Sequence, residues 1–463
     1  MAEQLSGQGV PVFLADIKGD LSGLATPGQA NDKVTARSQD VGQDWVGTAY
    51  PTEFLTLGGL GHGTPIRATV TSFGPTLLSK VLGLNDTQES SLGLVFHYAD
   101  KHGLALLDVK DLREVISFLT SDEGKADLKE LGGLSSATAG VILRKLVALA
   151  DQGADAFFGE PEFDTADLLR TASDGRGMVT CLELPAVQDR PALFSTFLMW
   201  LLADLFHDLP EVGDVEKPKL VFFFDEAHLL FDDASDAFLD QIAQTVRLIR
   251  SKGVGVVFVT QSPTDVPDEV LAQLGSRIQH QLRAHTPNDA KALKATVNTY
   301  PNSAYDDLGG VITSLGIGEA VVTVMNERGA PTPVAWTRLR APESLMGPAD
   351  PAAMDAVVKA SPRYDKYAAG VDRESAREKL AARLEEGSAK QAAEARAEAE
   401  TKEAKERAKA GQARPRSRSS RTGSGTPQDE GLVHDVVTSP VFKDFMRTAA
   451  REIARGMFRT GRR

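Results

Sequence analysis

Two adjacent carboxylates, Asp225 and Glu226, directly follow an apolar run of β-forming residues, Leu220 to Phe224. At the end of a buried strand, the first acid of such a pair holds the water shell of Mg²⁺ and the second polarises an attacking water. A second apolar run ends at Gln261, where a polar side chain can contact a phosphate. The pattern predicts the Walker B strand and sensor of a nucleoside triphosphatase. The alternative is a solvent-facing helix start, whose acids the helix dipole favours.

The loop that usually holds the phosphates is missing from this sequence. The 463 residues contain no G-x-x-x-x-G-K-[S/T] motif, whose backbone amides and lysine bind phosphate groups. The nearest stretch, residues 74–81, lacks the second glycine and the hydroxyl that binds magnesium. We therefore expect half of an ATPase site, and a chain that binds nucleotide poorly and is inactive as it stands.

Two further groups of residues are candidates for this site. Asp16 and Lys18 come just past the first predicted strand, at the end where ligands bind in open α/β sheets, although a plain turn explains them equally well. Arg247, Arg250 and Lys252 end a predicted helix, where a basic residue can act on a neighbouring subunit's nucleotide as an arginine finger. Capping of the helix C-terminus is the alternative for each of them. Arg250 is the residue that we choose.

Composition bounds the class of protein. No apolar run approaches the roughly 20 residues that span a bilayer, and the first residues lack signal-peptide features, so we expect a cytoplasmic protein. The net charge is −13, and residues 372–463 are net positive, so the preceding body is acidic. Such a body repels a phosphate backbone, and DNA binding gains no support from charge. The single cysteine, Cys181, lies in an apolar run and predicts a buried structural thiol.

Apolar strands alternate with helical patterns up to about Thr337. This alternation predicts an α/β fold, a mainly parallel sheet with helices on both faces. The predicted strands are residues 10–16, 178–184, 220–225, 255–260 and 277–283. Residues from about 90 to 208 are expected to form a helical insertion around the second of these strands. The histidines show no ligand spacing, so the sequence predicts neither a zinc site nor a hydrolase triad.

The chain changes character after a Pro-rich connecting segment, residues 341–371. Residues 372–410 predict a charged helix, supported by opposite charges at helical spacing. Residues 411–438 predict a disordered linker, because residues 411–431 contain no core-forming side chains. Residues 439–463 predict an amphipathic basic helix. We expect this helix to dock on the acidic body of its own or a neighbouring subunit, with an anionic membrane surface or DNA as alternatives.

A family resemblance is carried by four segments: residues 9–28, 67–90, 219–231 and 247–289. They include the stretches GVPVFLADIKGD and KLVFFFDEAHLLF. These segments resemble the HerA-like branch of the FtsK/HerA P-loop ATPases, and most closely its bacterial group of uncharacterised function. The resemblance implies a RecA-like ATPase core over residues 1–340 that uses ATP and Mg²⁺ in its complete form. Relatives form rings, commonly hexameric, and the better-known members drive DNA through the ring with a nuclease partner; neither DNA nor a nuclease is implied for the bacterial group.

The resemblance also assigns roles to residues. Asp225 and Glu226 match the Walker B acids, with Mg²⁺ held by Asp225 through water. Gln261 matches the sensor, and Arg250 or Lys252 matches the base that acts in trans. We take Asp16 and Lys18 as cofactor-binding residues beside them.

The departure from the family lies at the start of the chain. In the family a strand, the phosphate loop and most of a helix precede the segment that begins at Gly9, and here only eight residues precede it. The missing strand would lie between strands 255–260 and 277–283, whose edges would then be unpaired. Unpaired buried amides are costly, so we expect a misassigned start or a fragment, with Met1 an internal methionine. The rival reading is a non-catalytic oligomerisation or adaptor protein that keeps the ATPase fold.

Overall fold

The computed structural model describes residues 1–128, 132–213, 215–231, 236–301, 303–371 and 373–412. The chain divides into two compact units, Met1–Ser388 and Ala389–Arg463. The predicted amphipathic helix at residues 439–463 lies outside the described residues, as does the predicted linker beyond residue 412.

In the described part of the chain, a six-stranded parallel sheet forms the centre of the first unit. Its strands are β1 Val12–Asp16, β2 Thr52–Leu57, β3 Thr64–Ile66, β4 Val179–Glu183, β5 Leu220–Phe224 and β6 Val254–Phe258. They lie in the order β3-β2-β4-β1-β5-β6, and every neighbouring pair is parallel. The predicted parallel sheet is therefore confirmed. β2 and β3 were not among the predicted strands.

A second, antiparallel sheet lies apart from the first. It contains β7 Arg277–Gln279, β8 Glu319–Thr323 and β9 Ala335–Arg338, in that order. The strand predicted at residues 277–283 is thus shorter than expected and does not join the parallel sheet. It pairs with β8 instead, where Ile278 lies opposite Val322. Among the described strands, β6 is therefore an outer strand of the main sheet.

The described part of the chain contains sixteen α-helices. They are α1 Ala2–Gly7, α2 Asp32–Asp40, α3 Val70–Val81, α4 Asp86–Lys101, α5 Val109–Thr120, α6 Gly124–Leu128, α7 Ser136–Asp151, α8 Pro191–Asp208, α9 His228–Phe231, α10 Asp236–Ile249, α11 Asp268–Leu271, α12 Pro287–Asn298, α13 Leu308–Ser314, α14 Pro351–Ala360, α15 Pro362–Tyr367 and α16 Ala376–Gln412. α4 begins with a capping box between Asn85 and Gln88. Residues 74–81, the stretch nearest to a phosphate loop, lie in α3. Among the described helices, none combines the length and apolar character needed to cross a membrane.

Both faces of the main sheet are covered. Phe13 and Ala15 point into a large core that includes α4, α5, α7 and α8, and α8 is apolar and buried along most of its length. Val12 and Leu14 point into a smaller core on the other face, against α14. Strands buried on both faces read as continuous apolar runs, because alternation with polar residues disappears. This is why β1 and β5 are visible in the sequence, and it leaves their carboxyl ends as the places where polar side chains emerge.

Candidate functional site

Polar side chains from four neighbouring strands meet at the carboxyl edge of the main sheet. Asp16 ends β1, and it lies opposite Glu183, which ends β4. Asp225 follows β5, and its backbone N–H donates to the carbonyl of Ala15 at 3.3 Å. Gln261 follows β6 by three residues. The structure therefore brings together Asp16, Asp225 and Gln261, which the sequence proposed, at the edge where parallel sheets place their ligands.

Glu226 is held in an uncommon backbone conformation. Its φ is +46°, and no other non-glycine residue in the described part of the chain has a positive φ. The residue is 7% exposed. Its carboxylate forms an ion pair with Lys18 and accepts a hydrogen bond from Gln261 Nε2 at 3.2 Å. His228 Nδ1 lies 3.3 Å from Oε2 of Glu226, without the orientation of a hydrogen bond.

The pKa values of the two adjacent acids are shifted in opposite directions. Burial raises the pKa of Glu226, but the hydrogen bonds from Lys18 and Gln261 outweigh it, and the pKa lies below the ordinary value. Burial is the largest influence on Asp225 and raises its pKa, with the charge of Glu226 acting in the same direction. Glu226 is therefore the more firmly ionised of the pair.

Asp225 has the chemistry of a magnesium ligand. Its side chain is half-buried at the sheet edge and offers carboxylate oxygen, a hard donor that Mg²⁺ prefers, usually with several waters retained. The residues at this edge therefore fit a hydrated Mg²⁺ ion. The described residues do not include a phosphate loop, in agreement with the sequence, so they fit the cation better than they fit the phosphates.

Asp16 organises the turn after β1. Its carboxylate accepts hydrogen bonds from the backbone N–H groups of Gly19 at 2.7 Å and Leu21 at 2.8 Å. Burial raises the pKa of Asp16, and these two hydrogen bonds act against that rise. The turn that they fix presents Lys18 to Glu226. Asp16 thus acts on the site through the backbone of this turn. Nothing in the structure tests whether it also contacts a cofactor, so that role stays a prediction.

The basic residues lie at the other end of β6. Arg250 begins a 3₁₀ turn, Arg250–Lys252, that leads into the strand, whereas Gln261 follows the strand. A five-residue strand is about 16 Å long, so Arg250 is separated from Glu226 of the same chain by roughly that distance. Lys252 Nζ lies 4.9 Å from the centre of the Phe206 ring, and Arg247 is exposed on α10. The action of Arg250 on a neighbouring subunit's nucleotide stays a prediction.

A buried acid and thiol cluster adjoins the site and was not predicted. Oxygen atoms of Asp16 and Glu183 and the sulfur of Cys181 all lie within 4.8 Å of one another. The thiol donates to Glu183 Oε1 at 3.2 Å, and Sγ lies 4.0 Å from Asp16 Oδ2. Burial raises the pKa of Glu183 to about 7 and that of Cys181 well above its usual value. Cys181 is buried, as predicted; the signal for Glu183 was its position at the end of an apolar strand.

A cavity of 550 Å³ opens beside the partners of Glu226. It is lined by His228, Phe231, Gln261, Thr264, Asp265 and Pro267. Asp265 fixes the loop that carries Gln261, because its Oδ2 accepts from Thr260 Oγ1 at 2.8 Å and from the Ser262 N–H at 3.0 Å. Sequence reasoning missed His228 and Asp265, whose only signal is their closeness in the chain to the predicted acids and sensor.

A parallel sheet covered by helices on both faces, with polar side chains at the carboxyl ends of neighbouring strands, is the arrangement of the RecA-like α/β fold. The chain belongs to the family described as "Helicase HerA-like C-terminal", whose model matches residues 1–463. This family falls within the FtsK/HerA superfamily, so the resemblance drawn from the motifs is confirmed. No curated protein matches the sequence.

Several solved structures are similar to this chain at low sequence identity. Plasmid coupling protein TrwB in complex with ADP and Mg²⁺ is 15% identical, with 76% of this chain and 83% of that chain covered and a TM-score of 0.50. TrwB in complex with the ATP analogue ADPNP is 15% identical over 74% and 83% of the two chains, with a TM-score of 0.47. VirB4 of Thermoanaerobacter pseudethanolicus is 14% identical over 73% and 84%, with a TM-score of 0.45. At this level of identity, the likeness to the first of these supports the fold alone.

Proposed function

We propose that this protein acts in a cytoplasmic, homo-oligomeric ATPase motor, and that residues Asp225, Glu226 and Gln261 form the acid and sensor half of its nucleotide site. Without a phosphate loop, the 463-residue chain alone is expected to bind ATP poorly. The observation that carries the proposal is their position: they follow the adjacent strands β5 and β6, and Gln261 donates to Glu226 at 3.2 Å. Family membership supports ATP as the substrate. A helicase-like or translocase activity is a more specific proposal, and it rests on the same family membership.

Each residue has a distinct role in this proposal. The carboxylate of Asp225 holds the water shell of Mg²⁺, which would neutralise charge on the phosphates when bound. Glu226 accepts a hydrogen bond from the attacking water and orients it. Gln261 keeps the Glu226 carboxylate in place and contacts the terminal phosphate. Arg250 would neutralise charge in the site of a neighbouring subunit, which requires a ring.

A non-catalytic adaptor that keeps the ATPase fold is the second candidate. The observation that favours it is the lack of a G-x-x-x-x-G-K-[S/T] motif among the 463 residues. In-frame translation of the DNA upstream of Met1 discriminates the two. An apolar strand followed by this motif would support the ATPase, and an in-frame stop codon directly upstream would support the adaptor.

Mn²⁺ binding tests the proposed cation site directly. Mn²⁺ is a paramagnetic substitute for Mg²⁺, and free Mn²⁺ can be counted by electron paramagnetic resonance. We expect Asp225→Asn to weaken Mn²⁺ binding about tenfold or more, because it removes the negative charge of the proposed ligand. Asp268→Asn, at an exposed acid on α11, is the matched control and should leave binding unchanged. Equal Mn²⁺ affinity in the Asp225→Asn variant and the wild type would contradict the proposed function.

A further inference from the structure

The turn after β1 is built to present Lys18 at one position. Both carboxylate oxygens of Asp16 are occupied by backbone N–H groups of the turn, from Gly19 and Leu21. Gly19 has a φ of +81°, and a Cβ atom there would lie 3.1 Å from the ring of Pro185. The turn therefore requires glycine and has little freedom. Lys18, the residue before it, reaches the carboxylate of Glu226 from a position 208 residues away in sequence.

Glu226 is the buried partner of this ion pair, and Lys18 is the exposed one. A non-glycine residue with positive φ persists where its surroundings hold it, and Glu226 is held by Lys18, Gln261 and the nearby His228. The Glu226 side chain is 9% exposed, whereas that of Lys18 is 51% exposed. Water therefore surrounds much of the lysine, and its side chain can leave without opening the fold.

The ammonium group of Lys18 lies among the acids that a divalent cation would use. Its charge interacts with Glu226 and with Asp225 and Asp20. A cation bound at Asp225 would add two positive charges beside this ammonium group, and like charges at close range repel. Lys18 and the divalent cation therefore compete for one group of acids.

We propose that Lys18 is a positioning residue that occupies Glu226 in the cation-free protein and is displaced when a divalent cation binds at Asp225. Lys18 keeps the water-orienting acid neutralised until the cation arrives. Its displaced ammonium group then becomes available to an anion at the same edge of the sheet. The inference rests on the proposed function for the location of the cation at Asp225.

Mn²⁺ affinity without nucleotide tests this competition. Linkage requires that removing the competing charge tighten Mn²⁺ binding, and we expect Lys18→Met to do so about fivefold or more. Lys18→Arg keeps the charge and should restore the wild-type affinity. Lys33→Met, at an exposed lysine in α2, is the matched control and should behave as the wild type. Equal or weaker Mn²⁺ binding by Lys18→Met, or no detectable binding in either protein, would overturn the inference.

A second measurement does not depend on the folding of Lys18→Met. In protein with ¹³C-methylated lysines, the Lys18 signal is assigned by its absence in Lys18→Arg. Titration with Mg²⁺ should move this signal in the wild type and move it much less in Glu226→Gln, where the ion pair is absent. A Lys18 signal whose chemical shift does not change with Mg²⁺ in the wild type would overturn the inference.

The Asp225→Asn variant separates the two proposals. Tighter Mn²⁺ binding in Lys18→Met that does not depend on Asp225 would support displacement of Lys18 and contradict the proposed cation ligand. Mn²⁺ binding that is weakened by Asp225→Asn and unchanged by Lys18→Met would support the proposed function and overturn the role of Lys18.

Discussion

Substitution of Glu183 by glutamine should remove a large part of the pH dependence of stability. Glu183 ends β4 inside the sheet edge, is 6% exposed and accepts a hydrogen bond from the Cys181 thiol. Burial raises its pKa from 4.5 to about 7. The folded protein therefore keeps a proton that the unfolded chain releases, so the free energy of unfolding falls as pH rises from 4.5 to about 7 and then stops changing.

The size of this loss follows from the shift. One pKa unit corresponds to about 1.4 kcal/mol, so the raised pKa of Glu183 costs about 3 kcal/mol of stability once the carboxyl group ionises. Glu183→Gln keeps the shape and an oxygen that can accept from Cys181, but it cannot ionise. We expect the variant to be more stable than the wild type by up to about 3 kcal/mol at pH 8 and nearly equal to it below pH 4.5.

Urea denaturation across pH 4.5 to 8.5 measures the effect. The difference between variant and wild type should grow through this range and level off above about pH 7. Glu211→Gln, at an exposed glutamate, is the control and should show no such growth. A difference that stays constant with pH, or a wild type that gains stability relative to Glu183→Gln as pH rises, would refute the reasoning.

Two other predictions concern the sensor loop and the tail. Asp265→Ala removes the acceptor of the Thr260 and Ser262 hydrogen bonds. Urea denaturation should show that the free energy of unfolding falls by about 1–2 kcal/mol. A fall no larger than that of Asp268→Ala would contradict this prediction. Deletion of residues 439–463 should reduce self-association, measured by sedimentation velocity, without changing the circular dichroism expected of a folded body. Unchanged sedimentation together with lost liposome binding would show that this segment serves a membrane.

The sequence predicts the strands whose residues are apolar on both faces, and with them the acids that follow. β5 and β1 are continuous apolar runs, so Asp225 and Asp16 could be placed at their ends. β2 was not predicted because Thr52, Glu53 and Thr56 are polar yet buried. Glu53 forms an ion pair with Arg170, which lies in a distant segment of the chain. Burial of this kind depends on tertiary partners, which local hydrophobicity does not report.

The contacts within the site could not be predicted from the sequence, because they also depend on tertiary partners. The contact between Lys18 and Glu226 exists because β1 and β5 are neighbours in the sheet, although 208 residues separate the two side chains. Glu226 also has a positive φ, a conformation for which glutamate has no intrinsic preference, so the sequence does not predict it. Cys181 could be predicted as buried, whereas its hydrogen bond to Glu183 could not.

Hydrolysis of ATP by the 463-residue chain is the most direct test of the central claim, that this chain carries the acid and sensor half of an ATPase site without the means to hold the phosphates. Phosphate release in the presence of Mg²⁺ would be compared between the wild type and Glu226→Gln, with Mn²⁺ binding confirming that each preparation is folded at Asp225. We expect no phosphate release by the wild type above that of the variant. Hydrolysis by the wild type that Glu226→Gln abolishes would contradict it, because the chain would then hold the phosphates by itself.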